Sequence, residues 1–116
     1  IVLMVVAMFT MTMSFAENEN NSTLNSVEAY DMTVNMRKLA VTLDLTTDQM
    51  EAVQDIHTAF CNEMMLAANA HSTERKALVD QAVKKDVRYM GFILDEKQYK
   101  KYLTLLNTTL TNRGLK

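Results

Sequence analysis

Leu45-Thr46-Thr47-Asp48-Gln49-Met50 and, 49 positions later, Leu94-Asp95-Glu96-Lys97-Gln98-Tyr99 carry the same local instruction, which is to start a helix. In each, a residue with a short oxygen-bearing side chain stands three positions before a glutamine, with apolar residues outside the pair. Thr46 is placed to accept from the backbone N–H of Gln49, and the Gln49 side chain to reach back to the N–H of Thr46. Asp95 and Gln98 repeat this capping box, while Leu45 with Met50 and Leu94 with Tyr99 are spaced as hydrophobic staples. Each such cap is worth about 1 kcal/mol. Working outward from these two starts, the pattern predicts helices over 27–43, 47–70, 73–93 and 96–112, joined by the short connections usual in helical bundles. Asn112-Arg113-Gly114 supplies a C-terminal stop, its glycine suited to the left-handed cap.

Composition narrows the alternatives. The 116 residues are 48% hydrophobic and 22% charged, with two glycines and no proline, which fits one mostly helical domain. Two glycines are too few for an all-β chain built on tight turns. Gly91 and Gly114 stand 23 residues apart, so there is no glycine-rich phosphate loop. A net charge of −2 argues against general nucleic-acid binding. Only His57 and His71 could serve as histidine bases, and no strand-to-helix nucleophile turn is present, so no enzyme and no cofactor are expected.

The first residues read as an address. Ile1 to Met13 carry no charge and are almost wholly apolar, and Ser14-Phe15-Ala16 puts small residues at the −3 and −1 positions of a signal-peptidase site. The expected organisation is a secretory signal over 1–16, truncated at its start, an Asn-rich disordered lead-in over 17–26, and a single helical domain over 27–116. Thirteen apolar residues fall short of the roughly 20 that span a bilayer, so no stable membrane anchor is expected. Cys61 is the sole cysteine and cannot form an internal disulfide, which leaves helix packing or association to hold the domain.

The LTTDQ at 45–49 and the degenerate LDEKQ at 94–98 resemble the repeated LTxxQ motif of the Spy/CpxP family, small periplasmic helical proteins of envelope-stress responses. The motif residues are Leu45, Thr46 and Gln49, and Leu94, Asp95 and Gln98. The resemblance implies an all-α, four-helix chain with a central helical hairpin, paired with a second copy into an antiparallel, curved homodimer. It further implies a periplasmic protein that binds unfolded envelope proteins without ATP. The alternative it leaves open is a regulatory or metal-responsive binding protein with a dedicated protein partner.

Helical periodicity assigns faces. Met50, Val53, Ile56, Phe60, Met64 and Ala67 form a core stripe on the second helix, as do Tyr99, Tyr102, Leu103, Leu106 and Leu110 on the fourth. The first predicted helix is apolar on two nearly opposite sides, through Val27, Tyr30, Val34 and Val41 and through Met32, Met36, Leu39 and Leu43. The third is apolar over about half its circumference. The excess suggests a client or dimer surface at Met32, Met36, Leu39, Val79, Val83, Val87 and Met90, with burial inside the monomer as the plainer alternative.

Charge divides along the chain. Residues 17–63 sum to −7 and 64–116 to +5, with Lys84, Lys85, Arg88, Lys97, Lys100 and Lys101 forming a basic surface or an ordinary solvated face. His57 and Cys61, four apart, with Met64 or Met65 a further turn on, offer nitrogen, thiolate and thioether ligands of the kind copper(I) or zinc accepts. A buried thiol beside a hydrogen-bonded histidine is the expected arrangement, since structural zinc normally takes four matched ligands.

Overall fold

The four predicted helices correspond to four helices in the computed structural model, with no strand among the described residues, 27–116. They are α1 (Met36–Leu43), α2 (Thr47–Ala68), α3 (Ser72–Ile93) and α4 (Glu96–Asn112), preceded by a 3₁₀ turn at Val27–Tyr30. The protein is therefore all-α, with α2 and α3 forming a central hairpin. The expected signal, 1–16, and lead-in, 17–26, lie outside the described residues. No described helix is long and apolar enough to cross a membrane.

Both capping boxes form. The Gln49 N–H donates to Thr46 Oγ1 at 3.1 Å and the Thr46 N–H to Gln49 Oε1 at 2.9 Å. The Gln98 N–H donates to Asp95 Oδ1 at 2.8 Å and the Asp95 N–H to Gln98 Oε1 at 3.0 Å. At the other end of α4 the chain leaves through Gly114, at φ 74°, with Gly114 N–H bonded to Thr111 O and Leu115 N–H to Leu110 O. That is a Schellman arrangement, and the left-handed position is why glycine stands there. Asp44 plays the same part after α1 at φ 57°, a conformation that aspartate tolerates better than most side chains.

The single helix expected over 27–43 is corrected to a 3₁₀ turn, an extended stretch and the short helix α1. Polar side chains divert the backbone. Asp31 Oδ1 accepts from both the N–H and the hydroxyl of Thr33, and Asn35 caps α1 by accepting from the Lys38 N–H at 3.1 Å. Short polar residues offer the backbone these local alternatives to a continuing helix. The extended stretch is then fixed at both sides. His57 Nε2 donates to Met32 O at 2.7 Å, and Arg113 Nη1 donates to Asp31 O.

This break resolves the two apolar faces. A straight helix could have turned only one of them inward, but the bent segment brings Tyr30, Met32, Leu39 and Leu43 into the core and exposes Val41. The core continues through Val53, Phe60 and Met64 of α2, Val79, Ala82 and Met90 of α3, and Tyr102, Leu105, Leu106 and Leu110 of α4. Part of the expected client or dimer surface is corrected. Met32, Leu39, Val79 and Met90 are interior, and Met36, Val83 and Val87 are half-buried against the same core. Met50, expected in the α2 stripe, is exposed on the first turn of that helix.

The two motif glutamines meet. Gln49 Nε2 donates to Gln98 Oε1 at 2.8 Å and Gln98 Nε2 to Gln49 Oε1 at 3.0 Å. Gln49 Nε2 also donates to Ile93 O at the end of α3, and Gln98 Nε2 to Leu43 O and Asp44 O at the end of α1. Each amide thus caps one helix start and one helix finish. Replacing Gln98 by alanine is expected to cost about 3 kcal/mol and Gln49 by alanine about 2 kcal/mol, since buried carbonyls lose their donors. In urea denaturation the double variant should fall short of additivity by about 1 kcal/mol or more, as for residues sharing one network.

Candidate functional site

The α2–α3 hairpin closes over a short turn. Asn69 Nδ2 donates back to Met65 O at 2.9 Å at the end of α2, and Arg75 Nε of α3 donates to Ala70 O of the turn at 2.9 Å. Along the hairpin the helices leave a groove of about 270 Å³. Its floor is Ile56, Phe60 and Asp86, and its rim is Asp55, Ala59, Glu63, Lys85 and Tyr89. A second depression of about 230 Å³ continues from it, lined by Leu66, Leu78 and Ala82 and sharing Glu63 and Lys85. Lys85 Nζ reaches Glu63 at 2.7 Å, so an ion pair from α3 to α2 stands between the two depressions.

Glu63–Lys85 joins the acidic first half of the chain to its basic second half. Lys76–Asp80 and Lys100–Glu96 are exposed pairs within single helices and contribute little. The remaining lysines and Arg88 of the predicted basic surface are exposed, as a solvated face would be.

Asp86 is the unexpected residue. It is 2% exposed, its Oδ2 accepts from the Tyr102 hydroxyl of α4, and its Oδ1 has no hydrogen-bond partner. Burial, opposed in part by the Tyr102 hydrogen bond and aided by the Glu63 charge, raises its pKa from 3.8 to about 7. Burial and the neighbouring Asp86 also push the Tyr102 phenol well above its ordinary value. The sequence does hold a signal for this site, namely a single carboxylate at 86 in the inward row Val79, Ala82, Met90.

The candidate metal ligands do not converge as a free set. His57 is buried and commits Nε2 to Met32 O, which fixes the Nε2–H tautomer and leaves Nδ1 as a buried, unpartnered lone pair. Burial lowers its pKa despite that hydrogen bond. Met64 is fully buried in the core. Cys61 is half-buried, and burial, followed by the charges of Asp31 and Asp86, raises its thiol to about 11. No group of three or more His, Cys, Asp and Glu side chains suited to a metal ion occurs among the described residues.

Two outcomes follow from these surroundings. Because the folded-state pKa of Asp86 is raised, its neutral form contributes stability that is complete below about pH 4 and lost as pH rises through about 7. Asp86→Asn keeps an acceptor for Tyr102 and abolishes the titration. Its stability relative to the parent protein should therefore rise across that interval and level off above it, measured by urea denaturation at a series of pH values. Cys61 should react with a disulfide reagent at pH 8 about a hundredfold more slowly than an unhindered thiol, and at full rate only after unfolding.

No protein-family model, curated protein or solved structure matches this chain.

Proposed function

We propose that this chain is a periplasmic helical binding protein that holds unfolded polypeptide segments without ATP, in the manner the resemblance to the Spy/CpxP family implies. The observation that supports this most directly is the open groove on the α2–α3 hairpin, with Ile56 and Phe60 beside Asp86 along its floor and charged side chains at its rim. An unfolded chain offers isolated apolar side chains separated by polar backbone. A groove with Ile56 and Phe60 below and carboxylates and an ammonium above suits such a ligand, because it shelters one side chain while the flanking backbone remains in water. Leu66 at 68%, Phe92 at 73% and Tyr89 at 45% exposure add apolar surface along the same two helices. Homodimer formation belongs to the same reading, with Leu66 and Phe92 as side chains that a second copy would cover.

Light scattering of a denaturing client protein tests this, with residues 17–116 added at near-equimolar ratio and low salt. Suppressed aggregation is expected, together with loss of most of that suppression in Ala59→Lys. That substitution fills the groove from its exposed rim without entering the core. Absence of suppression at any ratio overturns the proposal and favours the dedicated-partner alternative.

A further inference from the structure

A groove that took only apolar side chains would have no use for Asp86. A carboxylate with an unpaired oxygen is costly to bury, and an apolar residue of similar volume would normally serve stability better. Yet Asp86 lines the groove floor, is 2% exposed, and keeps Oδ1 without a partner while Tyr102 occupies Oδ2. The rim adds two more carboxylates, Asp55 and Glu63, against the single ammonium of Lys85, which is already engaged by Glu63 at 2.7 Å. Phe60 and Tyr89 supply aromatic rings to the same groove, and the faces of such rings attract cations. The volume, about 270 Å³, lies just below the usual range for small-molecule and cofactor sites, and suits one long side chain better than a whole ligand.

We infer that the α2–α3 groove is a pocket for one basic side chain, arginine or lysine, carried on an otherwise apolar polypeptide segment. Asp86 Oδ1 is the acceptor for its guanidinium or ammonium group, Asp55 and Glu63 supply the surrounding negative charge, and Phe60 and Tyr89 flank its stem. This deepens the client-binding reading and rests on it: among unfolded segments, those with a basic residue set between apolar ones bind best. The charge complementarity is local to the groove, since the exposed lysines elsewhere on α3 and α4 would favour acidic partners.

The test is calorimetry and amide NMR on the whole protein with the acetylated, amidated peptide Leu-Leu-Arg-Leu-Leu and its citrulline counterpart, which keeps the shape and removes the charge. The arginine peptide is expected to bind about tenfold more tightly, and to shift the amides of 59–63 and 85–89. Asp86→Asn should erase most of that preference, with the citrulline peptide unaffected. Asp55→Asn, at the exposed rim and harmless to folding, should reduce the preference about threefold. Equal affinity for the two peptides overturns the basic-side-chain pocket while leaving client binding intact. Failure of both peptides, with aggregation still suppressed, likewise overturns the pocket alone, and failure of both together with no suppression overturns the two readings at once. n-Butylguanidinium should shift the same amides more weakly than the peptide; tighter binding by this small cation would show a site for a free amine and overturn the peptide form.

Discussion

The amides of Gln49 and Gln98 hold each other through two hydrogen bonds, and one end of each of the four helices is capped by that pair. Each Oε1 accepts from its own N-cap backbone, beginning α2 and α4, while Gln49 Nε2 donates to Ile93 O at the end of α3 and Gln98 Nε2 to Leu43 O and Asp44 O at the end of α1. A helix terminus leaves several backbone groups without partners, and four termini gathered at one end of a small domain would leave many. Two side chains meet much of that demand. A capping box accepts glutamate as readily as glutamine. Here only glutamine serves, because a carboxylate could cap the start but could not donate to Ile93 O, Leu43 O or the other amide.

With the helix ends fixed, the hairpin has little freedom, and its packing creates the groove. Lys85 and Glu63 tie α3 to α2 across it, Tyr102 reaches from α4 to Asp86 beneath it, and Phe60 closes the floor. Asp86 is a local inconsistency in an otherwise apolar row, of the kind that natural sequences tolerate mainly at functional positions. The hydroxyl of Tyr102 offsets part of the burial cost at one oxygen, and the other oxygen is buried without a partner. Cys61 and His57, which share the hairpin, are different in kind: one is a thiol held protonated by its surroundings, the other a neutral imidazole used to anchor an extended strand of backbone.

Much of this was legible in the residues and some was not. The helix starts at 47 and 96 could be read because a capping box is satisfied within four residues, whatever surrounds it. The core stripes of α2 and α4 followed from periodicity, with Met50 the exception at a helix end. Over 27–43 the same periodicity misled. Local bonds at Asp31 and Asn35 outweighed helix continuation, and the long-range partners that reward the bend, His57 and Arg113, lie far along the chain. Met32 and Leu39 went inward for that reason, while the exposed apolar side chains Leu66 and Phe92 lie outside the stripes that periodicity picks out.

The sequence by itself determined what short-range forces decide: helical class, two helix starts, the glycine-ended C-terminus and the hairpin's approximate limits. Only the tertiary structure decided that the two motifs touch, that a carboxylate at 86 is buried against Tyr102, and that a groove opens between α2 and α3. The physical reason is range. Capping energies involve neighbours along the chain, whereas the amide pair spans 49 residues and the Tyr102–Asp86 bond joins different helices, so their existence depends on how the helices pack and not on any one of them.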